Sequence, residues 1–173
     1  FLRGDQSYAA AGGGKVLQAV SVAKTDTFSE SISANSMSSN NITGMSPAIT
    51  CAATSSKVLI LANFSVGRNS NDANSAVGIQ MLRGTTLIGN GDAASSRSRV
   101  AAMTPIRYDI YLSTISIMFL DSPSSVSEQT YNFRFLNSDG DTSTLYLNRS
   151  HEDSDGAYIG RGASSITLIE IGA

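Results

Sequence analysis

Apolar and polar positions alternate along most of the chain or gather in short apolar runs, and clusters of Ser, Asn, Gly and Asp separate these segments. A period of two marks half-buried strands, and the 3.6-residue period of an amphipathic helix is almost absent. The stretch "KVLQAVSVA" puts Val16, Gln18, Val20 and Val22 on one face, and "DTFSESISA" alternates Phe28, Glu30 and Ile32 against serines. Pro47 in "MSPAITCAA" predicts an edge position or a strand start. "KVLILANFSVG" is apolar on both faces from Val58 to Leu61, which predicts a central strand covered on each side. "AVGIQMLRGTTLIG" predicts two strands about the turn Arg83–Gly84–Thr85, and "NGDAASSRSR" a polar loop that opens on an Asn-Gly turn signal. "RYDIYLSTISIMFLDSP" predicts one bent strand or two short ones, stopped by Pro123. In "TYNFRFLNSDGDTSTLYLNRS", Tyr131, Phe133 and Phe135 alternate with Asn132 and Arg134. The turn "NSDGD" then predicts a hairpin into Leu145, Tyr146 and Leu147. "SSITLIEIG" is the closing strand.

About ten strands spaced by roughly 8–16 residues, with no helix long enough to cross over a parallel sheet, predict an all-β fold. The natural arrangement is two antiparallel sheets face to face, a β-sandwich of jelly-roll kind. No fixed-period repeat points to a solenoid.

Composition narrows the functional classes. Only 15% of the 173 residues are charged, the formal net charge is −2, and Ser, Thr and Asn supply most of the polarity. Lys and Arg form no dense block, so binding to nucleic acid through phosphate neutralisation is not expected. No apolar stretch approaches the ~20 residues that cross a bilayer, so no membrane insertion is expected either. The single cysteine, Cys51 in "AITCAAT", is expected to be a buried small hydrophobe.

Candidate chemistry is sparse. The only histidine, His151 in "NRSHEDSDG", lies beside acids and serines, but there is no "GxSxG" elbow, and one His in a polar loop is expected to be a solvated surface residue. Asp139 and Asp141, or Glu152, Asp153 and Asp155, could pair as glycosidase carboxylates. All lie in Gly-containing turns, where Asp is expected on backbone grounds. "NSDGD" and "EDSDG" resemble fragments of Ca²⁺ loops without matching the full pattern, so they are expected to be ordinary turns. No catalytic residue, metal or cofactor is therefore assigned. Asn41, Asn63 and Asn148 stand in glycosylation-acceptor patterns, discounted because Asn63 and Asn148 fall within or at the end of expected strands. Long polar loops on a rigid sandwich are where recognition is placed. The candidate surface-binding residues are Arg68, Asn69, Asn71 and Asp72, then Arg97 and Arg99, then His151, Tyr158 and Arg161.

The start of the chain carries a resemblance. Phe1–Leu2–Arg3–Gly4–Asp5, followed by Ser7 and Tyr8, resembles the "FLRGDG" connector of bacteriophage tail-fibre and related virion proteins, with Gln6 for the last Gly and Tyr8 for the usual Trp. That context is also the alternative to reading Arg3–Gly4–Asp5 as an adhesion motif. "KVLQAVSVAKTDTFS", "SSKVLILANFSVG", "ISIMFLDSP", "LYLNRS" and "SSITLIEIGA" are similar, in the same order, to the C-terminal domains of structural proteins from marine phages, cyanophages included. The resemblance implies a neck over residues 1–14, ending in Gly12 to Gly14, and a β-sandwich head over 15–173. It further implies a non-enzymatic virion component, homotrimeric, held by other virion proteins and contacting a host surface glycan or protein receptor. A capsid fibre, decoration or assembly protein without receptor binding is the alternative, and a polysaccharide depolymerase the more distant one.

Overall fold

The computed structural model describes residues 15–69 and 75–172. The expected neck, residues 1–14, lies outside the described residues, as do Asn71 and Asp72. Twelve strands and no helix are found among the described residues: β1 (Val16–Lys24), β2 (Phe28–Ile32), β3 (Ser36–Met37), β4 (Ala48–Ile49), β5 (Lys57–Arg68), β6 (Ala76–Arg83), β7 (Thr86–Leu87), β8 (Ala102–Pro105), β9 (Ser113–Asp121), β10 (Gln129–Ser138), β11 (Ser143–Leu147) and β12 (Ser164–Ile171). They form two six-stranded sheets packed as an antiparallel β-sandwich.

The first sheet is built around β5. Residues 58–63 of that strand pair with β12 on one edge and β9 on the other, and β1 extends the sheet beyond β12. Further along, Val66 to Arg68 leave β12 and pair with β11, which carries β2 on its far side. The second sheet centres on β10 and β6, flanked by β3 and β4 on one side and by β7 and β8 on the other. Alternation fixes which residues enter the core. Val58, Ile60, Phe64, Val66, Ile166 and Leu168 from the first sheet meet Val77, Ile79, Met81, Tyr131, Phe133 and Phe135 from the second, all fully buried. Phe64 and Phe133 touch across the sandwich with ring centroids 5.1 Å apart. Each such side chain contributes roughly 2–3 kcal/mol of burial.

Buried polar groups tie the sheets at both ends. At one end Asp121 of β9 accepts a hydrogen bond from the Tyr131 hydroxyl (2.8 Å) and pairs with Arg83 of β6 (2.6 Å). Burial, followed by the Asp121 contact, pushes the Tyr131 phenol far above its ordinary value, so it stays a donor. At the other end Arg68 of β5 pairs with Asp139 and donates to Ser143 Oγ (2.8 Å). Between β1, β12 and the segment after β4 stands Glu170, fully buried. Gln18 Nε2 (2.6 Å) and the Ala52 backbone N–H (2.7 Å) donate to its two carboxylate oxygens. Burial alone would raise the Glu170 carboxyl, but these donors outweigh it and hold the group below its ordinary value.

Three expectations are corrected. The expected hairpin between Tyr131 and Leu147 is instead a corner: β10 and β11 lie in opposite sheets. Asn137 Nδ2 donates to Ile32 O (3.0 Å), Ser33 O (3.1 Å) and Asp141 O (2.9 Å), and Asp139 turns inward to Arg68, so polar contacts from both sheets hold the crossing. Strand β5 is central, yet its outer face is open at Leu61, which remains 38% exposed. The segment before Ser113 is not a strand: Tyr108 to Tyr111 close a turn through Tyr111 N–H to Tyr108 O (3.3 Å). β3 and β8, two and four residues long, were too short for a period to register. Cys51 is buried, as expected, and burial followed by the charges of Glu170 and Asp121 raises its thiol further.

Candidate functional site

Register places the loops. Lys24, Ser164, Val66 and Ser113 define one end of the first sheet, whereas Lys15, Lys57, Asp121 and Gly172 define the other, where Gly172 N–H bonds Lys15 O (2.8 Å). Lys15, the first described residue, therefore lies at the end opposite the loops 105–112 and 149–163. Eight steps of ~3.3 Å separate the two ends by about 26 Å.

Asn148 builds the loop end. It follows β11 with φ of +62°, a left-handed conformation that Asn tolerates better than most residues. Its backbone N–H donates to Ser65 O (2.8 Å), and its carbonyl accepts from Gly162 N–H (3.0 Å). Its side-chain amide donates to Lys24 O (2.7 Å) and Asp26 O (2.9 Å), and its Oδ1 accepts from Ser164 Oγ (2.6 Å). One residue thus fills the gap where β5 exchanges β12 for β11. The loop it launches lies flat on β5. A Cβ at Gly67 would come within 2.3 Å of Arg149 O, so only glycine permits this approach.

Above that floor, Asp153 receives Arg161 through two parallel bonds, Nε to Oδ1 (2.9 Å) and Nη2 to Oδ2 (2.7 Å), and Arg149 from the other side (3.3 Å). Arg149 also lies over the Tyr146 ring, 4.1 Å from its centroid. His151 stacks on the same residue and its Nδ1 shares a hydrogen bond with the Tyr146 hydroxyl (2.8 Å). The backbone N–H groups of His151 and Glu152 both donate to Asp109 O (2.9 and 3.2 Å), which clamps the 105–112 loop against the 149–161 loop. There Tyr108 and Tyr111 stand edge to face, centroids 5.5 Å apart at 85°, and are 55% and 53% exposed. Both line a shallow pocket of about 230 Å³ with Pro105, Ile106, Arg107 and Ser113. Tyr158, also exposed, belongs to the neighbouring loop.

The sequence-selected residues divide into groups. His151, Tyr158 and Arg161 gather at this end. Asn69 lies near it, but its backbone N–H and its Oδ1 are engaged by Thr144 (3.1 and 2.7 Å), which prolongs the β5–β11 ladder. Arg68 is not a surface residue: it is completely buried and tied to Asp139 and Ser143. Arg97 and Arg99 stand apart, on the segment that covers the outer face of the second sheet. Arg97 lines a groove there with Asn35, Met103 and Ser138, and Arg99 Nε donates to Gly91 O (2.7 Å). Tyr108 and Tyr111 were hidden because "RYDIYL" imitates strand alternation; Pro105 upstream and Asp109 at the turn were the available signals.

Chemically the arrangement offers exposed phenol rings, fixed guanidinium groups and an acid neutralised by two arginines. Asp139 is held below its ordinary value: burial opposes this, but the Arg68 charge and the Ser143 hydroxyl prevail. Among the described residues no group of three or more His, Cys, Asp or Glu gathers as a metal site, and no helix is long and apolar enough to cross a membrane. No protein family matches the chain, and no curated protein matches it either.

Proposed function

We propose that this protein is the head of a virion appendage, a phage tail fibre or comparable structure, and that it contacts the host surface non-enzymatically through the loops 105–112 and 149–161. The observation that supports the reading most is the clamped pair of loops at the end of the sandwich remote from Lys15, with Tyr108 and Tyr111 half exposed. A head carried on an upstream shaft needs its recognition surface at the far end. Phenol rings stack on the C–H faces of sugar rings, and Tyr, Arg and Asp side chains bond sugar hydroxyls. A pocket of about 230 Å³ is smaller than the ~300–1,000 Å³ of sites that enclose a small molecule, which suits shallow contact with one sugar unit. Such contacts are weak singly, and the three copies implied by the appendage reading would convert them into avid attachment.

The test is adsorption of fluorescently labelled full chain to a panel of marine bacteria, cyanobacteria included, followed by competition with purified surface polysaccharide from any strain bound. Binding that the polysaccharide displaces, with the polysaccharide unchanged in length, is the expected result. Adsorption to no strain would turn the assignment toward a capsid or assembly component, and shortening of the polysaccharide toward a depolymerase.

A further inference from the structure

The two sheets treat their outer faces differently. On the second sheet the chain covers itself: the segment after β7 lays Val100 against Leu136 and Gly78, and Leu82 and Leu136 are buried although they point away from the core. On the first sheet the 149–162 loop covers Ser65, Gly67 and Tyr146, and among the described residues no such cover reaches the rows beyond them. These outer rows, read across β1, β12, β5 and β9, are Ala19–Ile169–Leu59–Leu120, then Ser21–Thr167–Leu61–Met118, then Ala23–Ser165–Asn63–Ser116. Met118 is 78% exposed, and Leu120 and Leu61 are exposed beside it. A groove runs between Leu61, Met118, Ser165 and Thr167.

No formally charged residue stands in these three rows; exposed Lys57, paired with Ile171, stands on the same face one row beyond Leu59. We infer that this face is where copies of the chain pack against one another. A surface meant to stay in water would be expected to carry charges, and a partner of opposite charge would need a charged face to recognise. Charge-free rows do not repel their own copy. The apolar row and the hydroxyl and amide row can meet their equivalents, the first by burial and the second through Asn63, Ser116 and Ser165. Asn63 and Ser116 already bond within the chain (2.9 Å) and form a preset polar rim.

Size is that of a small contact. Four strands spaced ~4.8 Å and six residues of ~3.3 Å rise give about 19 by 20 Å, roughly 400 Å² in flat projection. That is about half of the ~800 Å² per partner of a standard interface, and Val16 and Leu17, exposed at the Lys15 end, extend the apolar surface. Position favours the contact. The apolar row lies at the Lys15 end, so chains arriving side by side from a common stem would present these rows to one another. The inference depends on the proposed function only for the number of copies expected; host binding and self-association fail separately.

The test uses the full chain and light scattering behind size exclusion at tens of micromolar. A mass near three times 18.1 kDa is expected for the unaltered protein. Met118→Arg and Leu61→Arg should each weaken self-association by at least about 100-fold, since each brings like charges together at the interface. Met103→Arg, on the second sheet, should leave the mass unchanged. Far- and near-ultraviolet circular dichroism checks that Met118→Arg, altered at an exposed position, stays folded. A dimer or trimer that both face variants dissociate supports the interface. A single-chain mass for the unaltered protein, or an oligomer indifferent to both substitutions, overturns it.

Discussion

At the residue scale, a few polar side chains carry more of the architecture than their number suggests. Asn148 joins β11, β5, β12 and the β1–β2 turn through five hydrogen bonds that its buried position cannot replace with water. Asn148→Ala removes the side-chain bonds and places a less tolerant residue at φ of +62°. It should cost about 2–4 kcal/mol in urea denaturation, with the loop at 149–161 released first to proteolysis. Acid sensitivity belongs to this scale too. Glu170 and Asp139 are both held below their ordinary values of 4.5 and 3.8, so the unfolded chain takes up protons before the folded one does. The stability they contribute is complete above those ordinary values and is lost as pH falls through the lower, folded ones. The thermal midpoint should hold steady from about pH 7 to 5 and drop below about 4.5, with a shallower drop in Glu170→Gln, whose own midpoint at neutral pH is already lower.

At the element scale, alternation disclosed the long strands and their inner faces. β1, β2, β5, β9, β10, β11 and β12 all fall where alternation or a short apolar run predicts, as does the turn at Gly84. What alternation could not show is which sheet a strand joins. "NSDGD" between two strands has the composition of a hairpin, yet Asp139 and Asn137 make it a corner by bonding to residues distant in sequence, Arg68 and the Ile32–Ser33 backbone. Likewise Val58 to Leu61 are apolar on both faces whether the outer face meets the chain's own residues or another surface. The candidate site was half legible: His151, Tyr158 and Arg161 stood out in a polar loop, whereas Tyr108 and Tyr111 were concealed by a turn with strand-like alternation. The corner reading has its own test. Arg68→Met removes the partner of a nearly buried carboxylate and should destabilise the fold by about 3 kcal/mol in chemical denaturation, more than a solvent-exposed hairpin turn would register.

At the scale of the whole molecule, the sandwich separates its tasks along one axis and across one face. Lys15 stands at one end, the clamped tyrosine loops close the other, and the charge-free outer rows of the first sheet run between them. This layout suits a head that is carried from below, packs with its copies along its side and touches a surface with its tip. The most direct measurement is adsorption to a bacterial strain that binds the unaltered protein, repeated with Tyr108→Ala/Tyr111→Ala. Both side chains are half exposed, so the fold should persist while adsorption falls by at least about tenfold, each lost aromatic contact being worth on the order of 1 kcal/mol. Adsorption undiminished by the double substitution, in a protein shown to be folded, would contradict the assignment of the recognition surface to this end of the molecule.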